Sequence, residues 1–173
     1  MKRFLSFFVA LVLTLGVMAQ TQHLKFQGIP LNGTISAFHQ KLVAKGFKHD
    51  AVLSKGLAVG SRAFSGVCFG KKCIVGVYYI PKTKLVYSVG VTIPYDDEDV
   101  QYADFERINN ALTKKYPNAE VSEDEYEDVN TYFLDEGRIH VICELNLLHV
   151  MYYDEENTAK NETYKEEEYI DDL

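Results

Sequence analysis

Two hydrophobic periods alternate along the chain. After Asn32-Gly33-Thr34, a turn-and-cap signal, Ile35, Phe38 and Leu42 recur at helical spacing and Gly46 closes the stretch, which predicts a short amphipathic helix. Apolar and β-branched runs separated by turn residues follow at 51–58, 60–69, 73–80 and 84–93, and predict strands. In the last of these, Leu85, Tyr87, Val89, Val91 and Ile93 alternate with Val86, Ser88, Gly90 and Thr92, as in a strand with one buried face. Asp96-Asp97-Glu98-Asp99 opens a second helix that runs to about Lys115, with Phe105, Ile108, Leu112 and Tyr116 on one stripe. Acids there cap free N–H groups and complement the helix dipole. Strands are predicted again near 119–122, 129–135, 138–145 and 147–153, with Asp135-Glu136-Gly137 as the clearest turn.

The two halves run in parallel. Ile35, Phe38, Leu42 and Phe47 each stand 70 residues before Phe105, Ile108, Leu112 and Pro117, and each helix is followed by up to four short strands. The pattern predicts an α+β fold, an antiparallel curved sheet of about six to eight strands with two main helices on one face, built as a tandem αββββ repeat. The domain spans 20–153, with repeat halves at about 24–95 and 96–153.

The ends read differently. Met1-Lys2-Arg3, the apolar run from Phe4 to Met18 and the small residue Ala19 have the order of a secretory signal peptide cleaved after Ala19. The chain is therefore expected in the periplasm or outside the cell, and no later segment is long and apolar enough to span a bilayer. From Asp154 to Leu173 nine acids and two lysines accompany few apolar groups, which predicts a disordered tail or a frayed helix.

Export permits a disulfide, and Cys68 and Cys73 flank a predicted hairpin tip. With Gly70 at the first position of a type II′ turn, Cys68 faces Cys73, so that a bridge and two free thiols both remain open. Cys143 shares a strand face with Ile139, Val141 and Leu145, opposite His140 and Glu144, and reads as a structural core thiol.

The segment Phe26-Gln27-Gly28-Ile29-Pro30-Leu31-Asn32-Gly33-Thr34-Ile35, continued by Phe38, Lys41-Leu42 and Lys45-Gly46-Phe47, resembles the opening of a group of exported proteins from gut-type Gram-negative bacteria. The repeated helix-plus-strands order resembles the β-lactamase inhibitory protein fold and, for one repeat, the small envelope lipoproteins of the outer-membrane assembly type. The resemblance implies an open, aromatic-rich sheet face that binds protein. No inhibitory loop motif matches, and the chain departs from the lipoproteins in having no lipobox cysteine.

Charge sharpens this picture. The net charge is −7, which argues against nucleic acid, yet residues 20–95 carry ten basic groups against Asp50 alone and residues 96–173 carry six against 24 acids. The halves are thus +9 and −18. Five histidines show no metal-ligand spacing, no nucleophile motif occurs, and the acidic runs lack the ligand order of a calcium loop, leaving only weak, non-specific cation association and no cofactor. Adjacent tyrosines on a strand point to opposite faces. Tyr78, Tyr79, Tyr87, Tyr152 and Tyr153 are accordingly the candidate contacts of a non-enzymatic, exported protein-binding module, one form of which is an inhibitor of a secreted or envelope enzyme. The alternatives are a small metal-dependent hydrolase using His140, Glu144 and His149, and an envelope component that assembles through edge strands.

Overall fold

The computed structural model describes residues 22–124 and 128–171. The signal-peptide segment at 1–19 lies outside the described residues. The elements in order are β1 (Lys25–Phe26), β2 (Ile29–Pro30), α1 (Ile35–Ala44), β3 (Lys48–His49), α2 (Ala51–Gly56), β4 (Ser61–Cys68), β5 (Lys71–Tyr79), β6 (Val86–Pro94), α3 (Glu98–Lys115), β7 (Glu120–Asp124), β8 (Val129–Leu134), β9 (Gly137–Glu144), β10 (Leu147–Asp154) and α4 (Glu155–Asp171). β1 and β2 pair as a small hairpin, and the other eight strands form one antiparallel sheet in the order β3-β4-β5-β6-β10-β9-β8-β7. That order is a palindrome: each half is a four-stranded meander, and the two meet through their last strands. The fold is α+β, with an open sheet ending at β3 and β7.

The local signals explain the helices. The Thr34 hydroxyl accepts the Ala37 N–H at 3.4 Å to cap α1, and Asp97 accepts from Val100 N at 3.1 Å to cap α3, with Glu98 and Asp99 in its first turn. Ile35, Phe38 and Leu42 of α1 and Phe105, Ile108 and Leu112 of α3 are buried in one core with Val75, Val77, Val89, Val91, Ile139, Val141 and Val150 of the sheet. The β1–β2 hairpin completes this layer: Leu24, Phe26, Ile29 and Leu31 are buried, and the Phe26 ring meets Tyr152 edge-on at 5.5 Å and Phe47 at 6.0 Å.

Three expectations are corrected. The run 51–58 is not a strand. Asp50 accepts hydrogen bonds from Val52 N at 3.1 Å and Leu53 N at 2.9 Å and so starts the short helix α2. The acidic tail forms α4, because Asp154, 1% exposed, accepts the Asn157 N–H at 3.0 Å as a helix cap while also binding His23 Nδ1 and Leu24 N. Asn157 then donates to the carbonyls of Leu31 and Val86 at 2.6 and 3.0 Å. Polar anchoring thus holds a helix whose composition offers little apolar surface, and one exposed pair, Lys82–Glu167 at 4.0 Å, joins it to the basic half.

The third correction concerns the cysteines. All three are free. Phe69 and Gly70, with φ of 53° and 78°, form the two-residue β4–β5 turn, so Cys68 faces Lys71 and Cys73 faces Gly66. The thiols lie diagonally across the ladder, where Cα atoms stand about 7–8 Å apart, beyond the usual disulfide span. Both registers keep the same residues on the same face, so the hydrophobic alternation cannot choose between them; the turn does. The hydrogen bond between the two thiols and burial push Cys68 upward, and the same bond holds Cys73 below its ordinary value.

Lys71 also ties the halves together. Asp104 of α3, 6% exposed, accepts from Lys71 Nζ at 3.2 Å and Tyr95 Oη at 3.0 Å and from Arg107. Burial opposes ionisation of Asp104, but the hydrogen bonds from Lys71 and Tyr95 and the nearby cations outweigh it and hold the carboxyl below its ordinary value.

A depressed carboxylate value adds stability above the unfolded-state pKa of about 4, and that stability is lost as pH falls through the lower, folded value. Denaturant midpoints across acid pH are therefore expected to fall more steeply for the wild type than for Asp104→Asn, which starts less stable at neutral pH. Parallel curves for the two would remove Asp104 from the acid response. In the same assay Gly66→Ala is expected to cost about 1–3 kcal/mol by overpacking, since a Cβ there comes within 2.2 Å of the Phe47 ring. Gly33→Ala, whose Cβ meets only Ala37 at 3.9 Å, is the near-neutral control.

Candidate functional site on the open face of the sheet

Strand alternation gives the sheet a second face, whose residues stand outside the hydrophobic core. Register aligns them in rows across the strands. One row runs Ser61, Tyr78, Ser88, Tyr153, Arg138, Phe133, Glu120. Beside it lies Ala63, Gly76, Gly90, Met151, His140, Thr131, Ser122, and a third row holds Ile74, Thr92, His149, Ile142 and Val129. Phe133 and Ile74 are 47% and 41% exposed, so large apolar groups on this face meet solvent.

Two glycines and a bulge shape the centre. Gly76 and Gly90 are directly opposed on β5 and β6. A Cβ on Gly76 would sit 3.1 Å from the Tyr78 hydroxyl, and one on Gly90 would sit 2.5 Å from Met151 Sδ and 3.6 Å from the Tyr78 ring. The bare backbone is the floor on which Tyr78 and Met151 lie. Between Tyr78 and Tyr79 the β5–β6 register shifts: Tyr78 pairs with Ser88 but Tyr79 with Val86, leaving Tyr87 as the extra residue of a bulge. Val86, rather than Tyr87, takes the core position expected from the alternation. Burial pushes the Tyr87 hydroxyl up, with Tyr78 and Tyr153 within electrostatic reach.

The five candidate tyrosines therefore divide. Tyr78, Tyr87 and Tyr153 gather on the open face. Tyr152 is 6% exposed in the core against Phe26, and Tyr79 packs at the margin of that core with its N–H bonded to the Gly60 carbonyl at 2.8 Å. Neither is available to a partner on the open face, because strand alternation turns each toward the helices when its neighbour faces away.

Arg138, Ser88 and Met151, which the sequence did not single out, complete the cluster. The Arg138 guanidinium stands 5.0 Å from the Tyr153 ring centre, and His140 meets the same ring edge-on at 5.3 Å. His140 Nδ1 pairs with Thr131 Oγ1 at 3.2 Å while its Nε2 is buried without a partner. Burial, helped by Arg138, holds this imidazole below its ordinary value, so it is neutral at pH 7. Ser88, between Tyr78 and Tyr153, is 1% exposed and its hydroxyl also has no partner. Only pairing knowledge finds these residues, since β6 and β10 lie far apart in sequence.

His140, Glu144 and His149 do not converge. His149 bonds Thr92 Oγ1 at 3.1 Å, His140 bonds Thr131, and Glu144 is exposed at the end of β9. Among the described residues no three His, Cys, Asp or Glu side chains gather as metal ligands. Cys143 lies on the covered face, half-buried beside Gln101, where burial raises its thiol value. No family model, curated protein or solved structure matches the chain.

A buried hydroxyl without a partner is a standing cost of about 1–3 kcal/mol. Ser88→Ala is therefore expected to raise the denaturant midpoint. A fall in stability would mean that the hydroxyl is already satisfied within the protein.

Proposed function

We propose that the protein is a non-enzymatic binding module that receives another protein on the open face of its sheet. The observation that carries this reading is the Ser88 hydroxyl, buried and unpartnered among Tyr78, Tyr87 and Tyr153. Tyrosine and arginine supply rigid area with polar tips, the composition enriched at the centres of protein interfaces. Ser88 and His140 Nε2 are buried polar groups that an incoming group can satisfy only where the surrounding side chains move aside. The repeated helix-plus-strands order of the sequence, which resembles the β-lactamase inhibitory protein fold, makes an inhibitor of an exported or envelope enzyme one form of this module. Assembly through edge strands is less well supported, because β7 is exposed along its length and carries Glu120, Glu123 and Asp124, charges that oppose strand addition. As a carrier of exported function, the module is expected to act in the periplasm or outside the cell.

The test is affinity capture from the exported and envelope fractions with wild type, with Tyr78→Ser/Tyr153→Ser and with the remote control Val43→Ser. A partner held by wild type and control and lost with the double variant supports the reading. Capture that ignores the tyrosines, or no stoichiometric partner in any fraction, overturns it.

A further inference from the structure

The segment Ala51 to Val59 is apolar and lies on the surface. Val52 and Val59 are 83% and 88% exposed, Leu53 and Leu57 are 42% and 43% exposed, and α2 has no buried residue. A single polar side chain seats it: Ser54 Oγ accepts the Ala63 N–H at 2.9 Å and donates to the Asp50 carbonyl at 2.6 Å. Val52 and Val59 therefore add little to holding this segment on β4, Leu53 and Leu57 stay partly open, and an exposed apolar patch of this kind marks a contact surface.

The charges nearest the patch in sequence are mostly of one sign. Lys45, Lys48 and Lys55 are exposed, Asp50, the one acid among residues 20–95, is engaged in capping α2, and the acidic helix α4 meets this half at Lys82–Glu167. Sheet order sets β3 and β7 at opposite ends, seven strand spacings apart, so the acidic edge strand lies about 33 Å away along the sheet. That is well beyond a Debye length of about 8 Å at physiological salt, and its repulsion of an anionic surface is screened.

We infer that this edge of the sheet docks on an anionic lipid bilayer, the side chains of Val52, Leu53, Leu57 and Val59 entering the headgroup boundary while the lysines meet lipid phosphates. Composition favours lipid over protein. Interface centres are rich in aromatic residues and arginine and poor in lysine, and valine and leucine are rare among hot spots. Aliphatic insertion with a lysine border is the pattern of membrane-surface binding. No helix among the described residues is long and apolar enough to cross a membrane, so the contact is peripheral. This docking uses a different surface from the open face and stands apart from the proposed protein-binding role.

The experiment is co-sedimentation with phosphatidylcholine vesicles with and without phosphatidylglycerol, at low and high salt, using wild type and variants recovered from the exported fraction in the same form. Wild type is expected to bind only vesicles containing phosphatidylglycerol, and less at high salt. At about fivefold per lysine, Lys48→Gln/Lys55→Gln loses about 25-fold in affinity. Leu53→Ser/Leu57→Ser loses about tenfold or more, while Tyr78→Ser/Tyr153→Ser binds as wild type. Thermal melts confirm that the variants fold; the lysine and leucine variants change exposed side chains and the tyrosine variant changes half-buried ones. Wild type that stays in the supernatant, or binding indifferent to both the lysine and leucine variants, overturns the inference. So does concentration-dependent self-association abolished by Leu53→Ser/Leu57→Ser without vesicle binding, which assigns the patch to a second copy of the chain.

Discussion

The antiparallel pairing of β6 with β10 is the constraint on which the molecule depends. It runs from Ser88–Tyr153 to Pro94–Leu147 and is the seam between two meanders that otherwise contain their own pairings. Without it each half is a four-stranded sheet with two helices and an additional open edge. With it, Val89 and Val91 of one half share a core with Val150 and Tyr152 of the other, beneath α1, α3 and the N-terminal hairpin. The same pairing assembles the open face, because it sets Ser88 against Tyr153 and Gly90 against Met151.

The two faces are built on different physical terms. The covered face is apolar and largely buried, with specificity supplied by packing. Its counterpart is kept open by opposed glycines, by a bulge that exchanges Val86 and Tyr87 between faces, and by aromatic rings lying on bare backbone. Unpartnered polar atoms at Ser88 and His140 are an energetic cost that folding alone does not explain.

Charge is organised across the sheet rather than mixed over it. The basic half ends in β3 and the apolar α2 edge, and the acidic half ends in β7. Where the halves touch, opposite charges are used locally: Lys71 of β5 reaches Asp104 of α3, and Asp154 at the end of β10 secures both the N-terminal segment and the tail helix. A polarised molecule of this kind presents different chemistry at each edge, and its association with charged partners depends on salt.

Much of this was legible in the chain itself. The periodicities at Ile35, Phe38 and Leu42 and at Phe105, Ile108 and Leu112, the caps at Thr34 and Asp97 and the runs of alternating β-branched residues determined the helix-plus-strands order and the α+β class, because these are local signals. They also turned one member of each of the pairs Tyr78-Tyr79 and Tyr152-Tyr153 away from the helices, without deciding which. What only the tertiary structure decided were matters of pairing. Hairpin registers differing by two residues bury the same face, so the Cys68–Cys73 geometry waited on the turn at Phe69 and Gly70. The bulge at Tyr87 reversed its face, and Asp50 and Asp154, through caps local in sequence but supported by distant partners, turned a predicted strand into a helix and gave the tail, read as disordered or a frayed helix, its helical form. Sequence carries period and propensity; which distant groups meet, and which polar atoms are left without a partner, is settled only when the two meanders join.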